Sequence, residues 1–154
     1  MKMANKYMQE AIDEAYEGIN HAHGGPFGAV IVSKGKVIGR GHNCVLKNND
    51  PTAHGEVMAI RNACENLATY QLDDCEIYTT AEPCPMCMGA ILWSGISKIY
   101  CGCNCEDTAK INFRDDAFYE VMANHPKERF ESVDREACQK LFADYDKIEG
   151  HTIY

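Results

Sequence analysis

The sequence predicts an α/β domain of three layers, a central mixed sheet with helices on both faces. Three observations predict it. Residues 4–22 carry apolar side chains at helical spacing. FGAVIVS and KVIGRGHN are strand-like runs joined by Lys34-Gly35, a hairpin turn signal. Beyond them, strand-like and helical segments alternate, and that alternation buries both faces of a sheet.

The elements follow in order. Met8, Ile12, Ala15, Tyr16 and Ile19 form the apolar face of a first helix, which Gly24-Gly25-Pro26 ends. Phe27 to Ser33 reads as a buried strand and Lys36 to Asn43 as its partner. Asn48 to Thr52 is a loop rich in capping residues, followed by a helix from His54 to Leu67. Cys75 to Thr80 is the next strand, and Pro83 breaks it. CPMCMGAILW is a helix ending at Gly95, and SKIYCGC is another strand. Helices over Asp116 to Ala123 and Asp134 to Lys147 complete the chain.

With 154 residues, the chain is read as a single domain over 1–154, long enough to bury a full core. No apolar run approaches the roughly 20 residues of a membrane span. The opening MKMANKYMQEAIDEAYEG mixes charge with apolar residues, unlike a signal peptide. Nine cysteines without even spacing suit core residues or metal ligands in a reducing compartment better than disulfides. These features together predict a cytoplasmic protein. The net charge of −8 weighs against nucleic acid as the main partner, because phosphate binding favours a basic surface.

PTAHGEVMAI and AEPCPMCMGA hold the candidate chemistry. Cys84 and Cys87 are three apart and share a helix face, and the positive end of the helix dipole favours their thiolates. His54 and Glu56 diverge by roughly 200° around a helix, so they converge only if that helix points end-on at the site. Two such helices, each following a strand, would meet at the carboxyl edge of the sheet. His54, Cys84 and Cys87 then supply three zinc ligands and leave a fourth position for water, the pattern of a catalytic rather than a structural site. Glu56 stands close enough to move protons without ligating. A lone Cys-x-x-Cys is also common in redox and structural sites, but those have no need of an upstream His-x-Glu. Cys101, Cys103 and Cys105 share a strand face without a nearby histidine and read as buried or semi-exposed thiols. His21, His23, His42, His125 and His151 read as surface or loop residues. The Asp115-Asp116 pair would by itself be a solvated turn.

His-x-Glu followed by Pro-Cys-x-x-Cys is an established signature of zinc nucleobase deaminases, so the match is to a known pattern. GGPFGAVIV, NDPTAHGEVMAIR, YQLDDCEIYTTAEPCPMCMGAI, FRDDAF and the closing Tyr154 resemble the bacterial guanine deaminases of the cytidine-deaminase-like superfamily. The resemblance covers nearly the whole chain and implies that superfamily's three-layer sandwich, one zinc ion per chain and hydrolysis of guanine to xanthine and ammonia. It implies that Glu56 transfers protons and that zinc acidifies the attacking water. It also implies that Asn43 and the backbone N–H of Gly55 contact the base. Phe27 and Trp93 would line the pocket, although plain core packing also accounts for both. An aspartate of FRDDAF would contact the substrate amino group. Counting from Phe113 makes it Asp115, and counting back from Phe118 makes it Asp116. The Phe113 spacing favours Asp115, leaving Asp116 to cap the next helix. The tail 149–154, ending in Tyr154, would close the site, with exchange between the subunits of a homodimer.

Gly55 stands where a guanine deaminase of this kind is expected to carry alanine. That leaves the chemistry intact and the pocket width open. Cytosine, guanosine, an aminotriazine or a tRNA adenosine would suit the same chemistry, and a non-enzymatic zinc or redox protein is the alternative of a different class.

Overall fold

The structure is a computed structural model that describes residues 5–154. Helix α1 spans Lys6–Asn20, and the Asn5 side chain caps it by accepting the N–H of Tyr7 at 2.9 Å. Its buried stripe is Ala11, Ala15 and Gly18, whereas Tyr16 and Ile19 are exposed. The apolar face expected from the sequence is therefore rotated toward the small residues. The reason is close approach: a Cβ on Gly28 would lie 2.1 Å from the Ala11 carbonyl oxygen. Large side chains on that stripe would hold the helix off the sheet.

Strands β1 (Gly28–Ser33) and β2 (Lys36–His42) form the expected hairpin. Lys34 and Gly35 both take positive φ, 48° and 76°, as a tight two-residue hairpin turn requires. A short helix α2 (Val45–Asn48) follows and ends at the first residue of the expected loop. Helix α3 is Gly55–Leu67, with His54 at its N-cap rather than inside it. Next come β3 (Cys75–Ala81), α4 (Pro85–Ser94) and β4 (Lys98–Cys103). Pro85 occupies the first turn of α4, where its missing N–H costs nothing, and Gly95 ends that helix at φ 78°. Helix α5 (Cys105–Lys110) was not legible as a helix, although Asn104 and Asp107 form a reciprocal capping box at its start. Helix α6 begins at Asp115 and runs to Ala123, and α7 is Arg135–Asp146.

The sheet order is β2-β1-β3-β4, antiparallel except for the parallel β3–β4 pair. Alternation along the strands splits the core in two. Val30, Val32 and Tyr78 pack with Ala11 of α1. Ala29, Ile31 and Ile77 face the other way, toward Ala59 and Ala63 of α3 and Ile91 of α4. Helices therefore cover both faces, as the three-layer reading requires. Because β1 runs against β3, its first residue, Gly28, lies beside the end of β3, where the Gly28 N–H donates to Thr80 Oγ1 at 3.1 Å. Gly28 also pairs with His42, the last residue of β2. One edge of the sheet thus collects the carboxyl ends of β2, β3 and β4 and the starts of α3 and α4.

The described residues divide into two compact units, the second being Val121–Tyr154. That second unit has no buried residue. Leu141 and Phe142 of α7 are 64% and 71% exposed, an apolar surface that a folded helix normally covers. No helix among the described residues is long and apolar enough to cross a membrane.

Candidate active site

The starts of α3 and α4 bring His54, Cys84 and Cys87 together. His54 is the N-cap of α3, Cys84 the N-cap of α4, and Cys87 lies in the first turn of α4. The approach to His54 is held by an Asx turn in which the Asp50 carboxylate accepts the Thr52 N–H at 2.8 Å. His54 Nδ1 lies 3.5 Å from each cysteine sulfur. Tetrahedral zinc with ordinary Zn–N and Zn–S bonds separates such atoms by about 3.6 Å, so the donor spacing fits that ion.

The proton chemistry fits as well. The Cys84 thiol is pushed below the usual thiol range, first by the hydrogen bond from Cys87. Cys87 is pushed far above it, first by the same contact and then by burial. His54 is raised, chiefly by its hydrogen bond with Cys84. One thiolate is comfortable in this cluster and two are not, unless a cation sits between them. The residues present therefore suit zinc.

Glu56 is the next side chain inward. It is 6% exposed, and burial raises its proton affinity above that of an ordinary glutamate. One carboxylate oxygen accepts from Thr79 Oγ1 at 3.2 Å and the other from the Cys87 thiol at 3.4 Å. Thr79 lies on β3 two residues from its end, so strand and helix jointly fix the carboxylate. His54, Glu56 and Cys84 form one wall of a cavity of about 280 Å³, near the small end of the roughly 300–1,000 Å³ range of ligand sites.

The other sequence-predicted residues divide. Phe27, Asn43 and Asp115 line this cavity. Asn43 is buried, and its Oδ1 accepts the Val45 N–H at 3.1 Å. Gly55 stands at the start of α3, where an added Cβ would lie 3.1 Å from the Phe27 carbonyl oxygen. An alanine there would need that backbone to yield by a few tenths of an ångström. Asp115 is half-buried, and burial followed by the nearby Cys84 raises its pKa. Asp116 is exposed, and the Arg114 guanidinium grips both its oxygens at 3.0 Å. It belongs to the first turn of α6 rather than to a cap position, because the helix begins one residue earlier than expected.

Trp93 departs from expectation. It does not line this cavity and is 73% exposed. Helix α4 points its N-terminus at the site, and Trp93 lies nine residues beyond Cys84, about 13 Å along the axis. Tyr154 lies in the second unit and is exposed. Cys101 and Cys103 are exposed, and Cys105 is half-buried and lies beyond the end of β4.

Two contributors escaped the sequence reading of the site. Phe113 lines the cavity and meets Phe27 edge-to-face, with ring centroids 4.9 Å apart. Tyr119 of α6 donates its hydroxyl to the Pro83 carbonyl at 2.5 Å, bracing the turn just before Cys84. Burial pushes that hydroxyl's pKa up to about 12, so it stays a donor. Neither residue differs in sequence from an ordinary apolar helix or loop position. Only the spacing of FRDDAFY to the cysteine motif hinted at them.

Residues 1–103 match the family described as the cytidine and deoxycytidylate deaminase zinc-binding region. The chain is 47% identical over 123 residues to the guanine deaminase of Bacillus subtilis, covering 80% of this chain and 79% of that one. It is 40% identical over 124 residues to the tRNA-specific adenosine deaminase of Haemophilus influenzae, covering 79% and 72%. The crystal structure of the Bacillus subtilis guanine deaminase superposes with a TM-score of 0.91 at 40% identity, over 98% of this chain and 99% of that one. A structure of a tRNA:A34 deaminase superposes with a TM-score of 0.61 at 40% identity, over 64% of this chain and 75% of that one.

The Tyr119 brace makes a prediction. Tyr119→Phe removes one hydrogen bond to a backbone carbonyl and should cost about 1 kcal/mol of stability. It should also weaken zinc binding several-fold, because the Cys84 turn loosens. Chelator competition against wild type reads the affinity, and equal zinc affinity in the two proteins would mean that the brace has no part in holding the metal.

Proposed function

The chain belongs to the cytidine and deoxycytidylate deaminase zinc-binding family, and we propose that within it the protein hydrolyses guanine to xanthine and ammonia. The family fixes the chemistry but not the base. The observation that carries the choice of base is the likeness along the whole chain. It extends over the C-terminal residues for the guanine deaminase of Bacillus subtilis and over 64% of the chain for a tRNA deaminase. The small cavity and the net charge of −8 support a free base over a polyanion.

Zinc held by His54, Cys84 and Cys87 supplies the Lewis acidity that makes water a nucleophile near neutral pH. The residues of this chain do the rest. Glu56, held by the Thr79 hydroxyl, takes the proton of the attacking water and returns it to the ring nitrogen. It then assists departure of the amino group as ammonia. Phe27 and Phe113 wall the flat ring. Asn43 has its Oδ1 committed to Val45, so its amide N–H groups are the end it presents to the base. The Gly55 N–H, in the first turn of α3 and without an intrahelical partner, is a second donor. Asp115 accepts from the purine amino group, which would otherwise be a buried donor left unpaired at a cost of about 1–3 kcal/mol.

The protein acts as a cytoplasmic homodimer on this reading, with the C-terminal segments exchanged and the tail ending at Tyr154 closing an active site. The exposed apolar residues of α7 support a covering partner. Deleting His151 to Tyr154 should lower kcat/KM for guanine while leaving the zinc content unchanged. Sedimentation at micromolar concentration should show dimers. Unchanged kinetics in the truncated protein would make the tail a bystander.

Ammonia release from a panel of guanine, guanosine, adenine, cytosine and an anticodon stem-loop RNA tests the choice of substrate. Guanine should be turned over fastest, and Glu56→Gln should keep its zinc while losing about 10² to 10⁴ in turnover. Preference for the RNA adenosine would place the chain with the tRNA deaminases.

The two neighbouring aspartates should separate. Asp115→Ala should lower kcat/KM for guanine with little change in thermal stability. Asp116→Ala loses an exposed ion pair with Arg114 and should leave both turnover and stability almost unchanged, within about 1 kcal/mol. The reverse pattern would move substrate contact to Asp116.

A further inference from the structure

A second cluster of metal-ligating side chains lies outside the site just described. His23, His42 and Cys44 place one donor atom each within 4.8 Å of one another. His42 ends β2 and Cys44 follows two residues later, while His23 arrives from the loop after α1. His23 Nδ1 and His42 Nε2 are 2.8 Å apart, and the two rings lie nearly parallel at a 16° interplanar angle.

Three features make this more than three neighbours. First, His42 Nδ1 donates to Glu14 Oε2 of α1 at 2.9 Å. A carboxylate cannot donate, so this contact leaves Nε2 of a neutral His42 with its lone pair toward His23 and Cys44. Carboxylate, imidazole and metal in line is the usual way a protein orients a ligating histidine. Second, His23 is held by its backbone. Its N–H donates to the Gly18 carbonyl at 2.9 Å, and its carbonyl accepts from Leu46 and Lys47 at 3.0 Å each. Third, a cleft lined by Glu14, His42 and Cys44 gives an ion a way in, and the arginines on its rim are engaged by Glu10 and Asp50.

We propose that His23, His42 and Cys44 form a second metal site, for a divalent transition ion of the zinc class, oriented through Glu14 and separate from the His54, Cys84 and Cys87 cluster. Imidazole and thiolate together select ions of that class. Coordination would open the two imidazole nitrogens from hydrogen-bond distance to about 3.3 Å, within reach of small side-chain rotations. The Cys44 thiol would release its proton to solvent on binding the ion. The His23 ring would move its proton from Nδ1 to Nε2 with no change of charge. An ion here would tie down both sequence neighbours of Asn43.

The full-length protein, its first site filled with zinc, is titrated with Co²⁺ after exhaustive dialysis, and retained zinc is measured alongside. A second equivalent should bind and give a thiolate-to-cobalt charge-transfer band in the near ultraviolet. Cys44→Ser should abolish that band and reduce total metal from two ions per chain to one. His23→Gln should weaken the second equivalent alone by about tenfold or more, and Glu14→Gln should weaken it by a smaller factor of the same order. If Cys44→Ser does not fold, loss of the second equivalent in His23→Gln supports the proposal in its place. Saturation of the wild type at one ion per chain overturns the proposal. So does a second equivalent whose band and affinity are unchanged in Cys44→Ser or His23→Gln.

Discussion

Two buried thiols and an imidazole within 3.5 Å cannot all take their ligand protonation states without a cation among them. Much of the molecule exists to create and hold that strained cluster. The conflict is confined to the N-terminal turns of α3 and α4, where the backbone N–H groups already favour negative charge. Glu56 adds a further buried carboxylate, held by Thr79 and Cys87. A site so short of positive charge suits a cation held by His54, Cys84 and Cys87, with the Glu56 carboxylate beside it.

The sheet explains how two helix starts come to face one another. The parallel β3–β4 pair needs a crossover, and α4 supplies it, starting at the end of β3. The antiparallel β1–β3 pair brings the start of β1 to the same edge, and the hairpin returns the end of β2 there as well. Phe27 and Asn43 reach the cavity for that reason, and the Asn43 N–H is bonded to the Phe27 carbonyl at 2.9 Å. Small residues set the distances. Ala11, Ala15 and Gly18 let α1 lie close on one face, and Ala59 and Ala63 do the same for α3 on the other.

The sequence made legible what depends on short spacing. His54, Glu56, Cys84 and Cys87 could be grouped because i, i+2 and i, i+3 offsets at helix starts have few geometric outcomes. The hairpin was legible because Gly35 tolerates the positive φ its turn demands. What depends on the placement of whole helices was not legible. Asp115 and Asp116 are about 100° apart around α6, and only the observed start of that helix turns Asp115 to the cavity and leaves Asp116 to Arg114. Trp93 does not line this chain's cavity for a related reason, since α4 meets the site by its tip and not by its side. The His23–His42 contact joins residues 19 apart that meet only after β2 has folded back beside α1. The rotation of α1 shows how close packing of small residues overrides the face with the largest apolar side chains.

Everything proposed for the chemistry depends on His54, Cys84 and Cys87 holding zinc with one position left open beside Glu56. Zinc K-edge X-ray absorption on full-length protein carrying one equivalent of zinc measures this directly. Two sulfur neighbours are expected at about 2.3 Å and two lighter neighbours at about 2.0–2.1 Å, one of them exchangeable with added ligand. Four non-exchangeable protein donors, or a shell with fewer than two sulfurs, would contradict it.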